Sequence, residues 1–173
     1  MKIVIFGIGF LGNKLMKLIP NNYSVVGADI NPSSPLIQKI DATNKKEVNN
    51  FLKKEKPDVV IDTIALSSYF ACEKDHELCN LLNFKTAKYI SDACNKLDAK
   101  MVFISSSYLF DGKKGSYKET DIPNATNHYA KSKISAENYV LKSNRSIVLR
   151  LDSLYGYSEE IQQIVFGTNT FEK

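Results

Sequence analysis

The first nineteen residues constrain the fold more than any other part of the sequence. The apolar run at 2–6 predicts a buried strand, and Gly7, Gly9 and Gly12 follow it in a G-x-G-x-x-G pattern before helical spacing at 13–19. The first glycine permits a tight turn, the second lets the backbone approach a pyrophosphate, and the third lets the helix pack closely on the sheet. The helix N-terminus presents N–H groups and a positive dipole end to phosphate. The segment therefore predicts a dinucleotide-binding turn.

The remaining sequence alternates apolar runs with helical spacing. Strands are predicted at 23–29, 35–41, 58–65, 100–107 and 146–151, and helices at 44–56, 76–97 and 127–140. Near-continuous apolar strands separated by helices indicate a parallel sheet that is covered on both faces. With right-handed crossovers this is an α/β doubly wound parallel sheet, the three-layer α/β/α Rossmann fold.

Composition excludes several classes of protein. The chain is 43% hydrophobic, which is typical of a globular protein, but no run approaches the roughly 18 apolar residues of a membrane span. The net charge of +4 comes from scattered lysines, whereas nucleic-acid binders cluster their basic residues. Cys72, Cys79 and Cys94 form no CxxC pair, so we expect no metal site and free cysteines in a reducing cytoplasm.

A carboxylate ends the second predicted strand. Asp29 follows the glycines by about 20 residues, the distance at which a ribose hydroxyl is bound in dinucleotide-binding folds. The alternative is that Asp29 forms a turn or caps a helix before the sequence NPSSP. A carboxylate there repels a 2′-phosphate, and no arginine lies near it in the sequence, so NAD is weakly favoured over NADP.

Three further side chains converge at the carboxyl ends of the predicted strands. The serine run 105–107 ends one strand, and Tyr129 and Lys133 share a face of the helix that follows. A serine hydroxyl can bind a substrate oxygen, a phenol can donate a proton to a carbonyl, and a nearby ammonium lowers the pKa of the phenol. The alternative is chance, since Tyr139 with Lys142 nearby shows how common such residues are in this part of the chain.

The segments GIGFLG, SSSYLFDGKKGSYKETDIPNATNHYAKSK and LRLDSLYG resemble the extended short-chain dehydrogenase/reductases, and within them the dTDP-4-dehydrorhamnose reductase family. The resemblance covers residues 1 to about 156. It implies a catalytic trio of Ser106, Tyr129 and Lys133, and substrate contacts from Ser106 and Ser107. It also implies cofactor contacts from Gly7, Gly9, Phe10, Leu11, Gly12, Asp29, Ile30, Asp41, Ala42, Ala65, Leu66, Ser67, Tyr129 and Lys133.

The sequence departs from that family at several points. One residue fewer separates Gly7 from Gly9, Ser107 stands where Asp is common, and Asp62 stands where Asn is common. Family members also continue into a C-terminal substrate lobe. We therefore expect a cofactor-binding domain at 1–156 and a short tail at 157–173, with the lobe missing or truncated, in a fragment or a naturally short protein. The tail has helical spacing at 157–166, and this face could pair with a second copy as a homodimer.

The function implied by the resemblance is reduction of a nucleotide-linked 4-keto sugar by NADH or NADPH. The expected partner is the nucleotide-sugar substrate, and neither a nucleic acid nor a membrane is expected. Two alternatives stay open. A nucleotide-sugar epimerase or dehydratase uses the same trio, and a non-catalytic regulatory subunit keeps only the dinucleotide site.

Overall fold

Six parallel strands form the central sheet of the computed structural model, which describes residues 1–158 and 163–166. The strands are β1 (Lys2–Phe6), β2 (Ser24–Asp29), β3 (Ile37–Lys39), β4 (Val59–Asp62), β5 (Lys100–Ser106) and β6 (Ser146–Leu151). Their order is β3-β2-β1-β4-β5-β6, and every neighbouring pair is parallel. This is the strand order of the Rossmann fold, and the fold prediction is confirmed.

Helices cover the sheet on both sides. They are α1 (Phe10–Leu18), α2 (Lys45–Glu55), α3 (Tyr69–Lys74), α4 (His76–Asn80), α5 (Thr86–Leu97) and α6 (His128–Val140). Helices α2, α5 and α6 pack side by side, and their apolar residues join Val4, Phe6 and Val60 in the buried core. Helix α1 lies against β1 and β2 on the other face, where Met16 approaches Gly27. The sheet is therefore buried from both sides near its centre.

The helix predicted at 76–97 is interrupted. Helix α4 leads into a π-helical turn, Leu81–Lys85, and then into α5. Helix α3 was not predicted, because its six residues are too few to show a period. Ser68 begins α3 by accepting a hydrogen bond from the backbone N–H of Ala71. π-helical turns often occur at functional sites, and this one lies beside the carboxyl ends of the strands.

The helical prediction for 157–166 is wrong for the residues that the structure describes. Strands β7 (Tyr155–Ser158) and β8 (Gln163–Phe166) pair as an antiparallel two-stranded sheet, and Ile161 lies outside the described residues. The sequence Ile-Val-Phe is rich in residue types that favour strands, and strand pairing prevails over a weak 3.6-residue period. Within 1–158 and 163–166, no helix is long and apolar enough to cross a membrane.

Candidate dinucleotide-binding and catalytic cleft

A cleft of about 780 Å³ opens at the carboxyl ends of the parallel strands. This is the edge of a doubly wound sheet at which ligands bind. Most of the residues predicted to contact a cofactor or substrate line it. They are Gly7, Gly9, Phe10, Leu11, Asp29, Ile30, Asp41, Ala42, Ala65, Ser67, Ser106, Tyr129 and Lys133.

The glycine turn between β1 and α1 has a geometry that side chains would disrupt. Gly7 has a φ of +83°, and a Cβ there would lie 2.9 Å from the backbone nitrogen of Ile64. A Cβ on Gly12 would clash with the carbonyl oxygen of Gly7. Gly9 begins α1 and offers no side chain to cap its first turn, so the helix N-terminus faces the cleft through backbone groups. The turn fits a pyrophosphate.

Asp29 is fixed at the end of β2 by two backbone donors. Its Oδ2 atom accepts a hydrogen bond of 2.6 Å from the N–H of Ile8, and its Oδ1 atom accepts one of 2.9 Å from the N–H of Asn31. Asp29 therefore forms the turn before the sequence NPSSP that the alternative interpretation predicted. The turn also holds the carboxylate against the cleft, where each oxygen retains capacity to accept a further hydrogen bond.

Helix α6 carries Tyr129 and Lys133 into the cleft. Asn127 caps its first turn by accepting a hydrogen bond of 2.8 Å from Ala130, and Glu73 of α3 accepts one of 2.7 Å from the backbone N–H of His128. Ser106, at the end of β5, is buried, and its Oγ atom accepts a hydrogen bond of 3.1 Å from the N–H of Tyr108. The end of β5 thus positions Ser106, and the capped helix α6 positions Tyr129 and Lys133.

The pKa of Tyr129 is raised, and not lowered as its spacing from Lys133 predicts. Burial raises the pKa of Tyr129, and the interaction with Ser106 opposes this only in part. Lys133 turns inward, where its Nζ atom donates a hydrogen bond of 2.6 Å to the carbonyl of Ile104 and lies 4.1 Å from the centre of the Phe103 ring. Burial also lowers the pKa of Lys133 to about 8.

A buried carboxyl group accompanies the buried lysine. Asp62 ends β4 and is paired in register with Phe103, whose ring lies under the ammonium of Lys133. Its Oδ1 atom accepts a hydrogen bond of 3.0 Å from Ile64, while Oδ2 has no hydrogen-bond partner among the described residues. Burial raises the pKa of Asp62 to about 6, and the charge of Lys133 opposes that rise. Asp62 stands where Asn is common in the family that the sequence resembles, and it therefore adds a titratable carboxyl group beneath the cleft.

Three predicted contact residues do not line the cleft. Gly12 packs behind the turn, and the backbone N–H and carbonyl of Leu66 are bound to the side chain of Asn83. Ser107 points to the rim, where its Oγ atom donates a hydrogen bond of 3.0 Å to Asp152.

Several lining residues were not singled out from the sequence. They include Thr63, Ser68, Tyr69, Phe70, Tyr108, Asn127, Asp152 and Ser153. Many of these follow the ends of β4, β5 and β6, and position just after a parallel strand was the signal that could have found them. Among the described residues, no group of three or more His, Cys, Asp or Glu side chains could hold a metal ion.

The fold and the cleft define a Rossmann-fold protein of the extended short-chain dehydrogenase/reductase type. The chain matches the RmlD substrate binding domain family over residues 1–167, and it belongs to that family.

Two relatives and one solved structure illustrate the similarity. The dTDP-4-dehydrorhamnose reductase of Aggregatibacter actinomycetemcomitans is 33% identical over 152 residues, which cover 86% of this chain and 49% of that protein. The methionine adenosyltransferase 2 subunit beta of Bos taurus is 29% identical over 157 residues, covering 90% of this chain and 47% of that protein. The crystal structure of dTDP-4-dehydrorhamnose reductase from Bacillus anthracis in complex with NADP has a TM-score of 0.80 at 27% identity, covering 87% of this chain and 53% of that one. The chain thus spans about half the length of these relatives.

Proposed function

We propose that this chain supplies the cofactor site and the catalytic groups of an NAD(P)H-dependent reductase of a nucleotide-linked 4-keto sugar. The observation that carries the proposal is that Ser106, Tyr129 and Lys133 line the same cleft as the glycine turn. Similarity to dTDP-4-dehydrorhamnose reductases supports the choice of substrate class.

The residues of the cleft fit a dinucleotide. The uncapped start of α1 suits a pyrophosphate, and Asp29 suits a ribose. A nicotinamide cofactor would supply the hydride. Tyr129 would donate a proton to the substrate oxygen, since burial keeps its phenol protonated. The Ser106 hydroxyl would bind the same oxygen, and Lys133 would contact the nicotinamide ribose through the N–H groups that Ile104 does not use.

Cofactor binding tests the first part of the proposal. Titration with NADH and NADPH, followed by nicotinamide fluorescence or calorimetry, should detect binding of at least one. A weak preference for NADH is expected, because Asp29 repels a 2′-phosphate. Asp29→Ala should reduce the difference between the affinities for NADH and NADPH. No binding of either cofactor at millimolar concentration would reject the proposal, whereas a preference for NADPH would reject only the role of Asp29.

The reaction is tested separately. In a form of the protein that includes a substrate-binding half, a reductase consumes reduced cofactor when the keto sugar is added, which is followed as loss of the absorbance of NADH or NADPH. An epimerase or dehydratase with the same trio would instead copurify with tightly bound NAD and show no net consumption. That second result would keep the trio and change the reaction class.

A non-catalytic role is the second candidate, and the similarity to a methionine adenosyltransferase 2 subunit favours it. Such a subunit would need the dinucleotide cleft but not the proton donor. Substitution of Tyr129 by Phe would then leave the affinity for the dinucleotide intact, with no reductase activity to lose. Loss of a reductase activity in this variant would exclude the candidate.

A further inference from the structure

Two buried cysteines face each other beside the cleft. Cys72 lies in α3 and Cys79 in α4, and neither is exposed to solvent. Their Sγ atoms are 2.6 Å apart. Unbonded sulfur atoms do not normally pack this closely, whereas a disulfide bond measures about 2.0 Å. The two thiols are thus already close to bonding distance.

The turn at Asp75 brings the two cysteines together. In one continuous helix, positions seven residues apart are separated by about 10.5 Å of helix rise, which a disulfide cannot span. Asp75 instead ends α3 and begins α4 with a φ of −138° and a ψ of 91°. Its side chain accepts a hydrogen bond of 2.9 Å from the N–H of Leu78. The change of direction at this residue places α4 against α3.

The pair also lies between two parts of the proposed site. The Cys72 thiol donates to the carbonyl of Leu66, 3.3 Å away, in the loop after β4. The Cys79 thiol lies 3.5 Å from the Oγ atom of Ser132, on the helix that carries Tyr129. The thiols therefore connect the loop and the helix that flank the cleft.

From this geometry we infer that Cys72 and Cys79 form a reversible intramolecular disulfide when a small hydroperoxide oxidises them. The bond closes the turn at Asp75 and fixes α3, whose first residues, Tyr69 and Phe70, line the cleft. The inference rests on the positions of the sulfur atoms and is independent of the reaction proposed above.

The reaction balances with hydrogen peroxide as the oxidant. One thiolate attacks a peroxide oxygen, the O–O bond breaks, and a sulfenic acid and hydroxide form. The second thiolate then attacks the sulfenic sulfur, the S–O bond breaks, and the S–S bond forms as the hydroxyl leaves to become water. In total, two thiols and one peroxide give one disulfide and two waters. Dithiothreitol reverses the change by thiol–disulfide exchange.

Cys94 provides a matched control within the chain. It is buried in α5, and burial raises the pKa of its thiol to about 12. The pKa of Cys72 is also raised to about 12, and burial is the largest cause there too. Among the described residues, the Cys94 thiol makes no hydrogen bond to another sulfur, whereas the Cys79 thiol donates one to Cys72. Buried thiols are normally inert, so a difference in reactivity between Cys94 and the pair would come from the pairing.

The experiment is peptide mapping of the whole chain after treatment with hydrogen peroxide. The remaining thiols are alkylated under denaturing conditions, and the protein is digested with trypsin without reduction. Lys74 lies between the two cysteines, so the disulfide would link the peptides 55–74 and 75–85, and Cys94 would appear alkylated in the peptide 89–96. The mass of the intact protein should fall by about 2 Da, the two hydrogen atoms lost.

Several outcomes decide the inference. Linked peptides that separate after dithiothreitol, from a monomeric protein with an unchanged circular dichroism spectrum, support it. In Cys72→Ser and Cys79→Ser the link should be absent, while Cys94→Ser should retain it. Recovery of both cysteines alkylated or oxidised to sulfinic acid, linkage through Cys94, or a link that forms only with loss of the native spectrum would overturn it.

Discussion

At the scale of single residues, identical side chains on α6 have different surroundings. Tyr129 lies in the cleft, whereas the Tyr139 hydroxyl donates a hydrogen bond of 2.7 Å to Asp92 and accepts one of 2.6 Å from Lys88. Tyr139 thus joins α6 to α5 and has a structural partner for its hydroxyl. Each tyrosine has a lysine three or four residues later, at Lys142 for Tyr139 and at Lys133 for Tyr129, and it is their surroundings that distinguish them.

This contrast gives a matched pair of substitutions. In a form of the protein that includes a substrate-binding half, Tyr129→Phe should lower turnover by roughly 10²–10⁴-fold, because a general acid is lost, and leave cofactor affinity nearly unchanged. Tyr139→Phe should leave turnover intact and lower the free energy of unfolding by about 1 kcal/mol. Steady-state kinetics and urea unfolding measure both effects. Wild-type turnover in Tyr129→Phe would show that the assignment is wrong.

Asp62 makes stability depend on pH. Because its pKa is raised to about 6, the folded chain binds more protons than the unfolded chain between about pH 4 and 6, and stability falls as pH rises through that window. The loss is on the order of 2–3 kcal/mol. Lys133, whose pKa is about 8, titrates above the window.

Asp62→Asn removes this titration. The free energy of unfolding, measured with urea at several values between pH 4 and 7, should fall less with rising pH in the variant than in the wild type. Parallel curves for the two proteins would contradict the assigned pKa. The difference in slope is the relevant quantity, since the variant also removes a negative charge near Lys133.

At the scale of elements, the turn between β1 and α1 depends on close backbone approach. Gly7 adopts a positive φ, and the third glycine of the pattern, Gly12, lies against the carbonyl of Gly7. Thr63, just after β4, places its hydroxyl within hydrogen-bonding distance of the carbonyls of Phe6 and Gly7. The turn is therefore held from two sides.

Substitution of the third glycine should disrupt this turn. Gly12→Ala places a methyl group against the Gly7 carbonyl, and we expect a loss of about 1–3 kcal/mol in the free energy of unfolding together with weaker NADH binding. Gly112→Ala is the control, because its φ is +75° with no atom within 4 Å of the added Cβ. Gly112→Ala should lower the free energy of unfolding by about 1 kcal/mol through backbone strain and leave cofactor binding unchanged. Equal effects on binding would argue against a role for the turn.

At the scale of the whole molecule, the cleft is built from the carboxyl edge of one sheet. Its rim near β6 is formed by Asp152, Ser153 and Leu154, and Ser107 and Tyr108 bond to that rim. The relatives are about twice as long as this chain. Binding energy from remote parts of a substrate positions its reacting carbon, and well-oriented positioning can be worth roughly 7–11 kcal/mol of the barrier.

We therefore expect the 173-residue chain alone to fold and to bind a dinucleotide, but to turn over dTDP-4-dehydrorhamnose slowly or not at all. The assay follows loss of absorbance of NADH or NADPH with the keto sugar. Turnover at or above about 1 s⁻¹, the low end of ordinary enzymes, would contradict this expectation. Such a result would mean that the substrate site is completed within this chain or by a partner subunit.

The sequence by itself determined the parallel doubly wound fold, the glycine turn and the candidate trio. Apolar runs report burial on both faces of a sheet, and glycine reports backbone geometry, so both can be read from residue types alone. The boundary at residue 156 and the catalytic roles of the trio stay predictions.

Only the tertiary structure decided the environments of the charged and polar groups. It turned Lys133 towards the carbonyl of Ile104, left one oxygen of Asp62 without a partner among the described residues, and brought Cys72 against Cys79. It also replaced the helix predicted at 157–166 by strands in the described part of that segment. Burial and pairing depend on residues distant in the chain, and a local period or spacing carries no information about them.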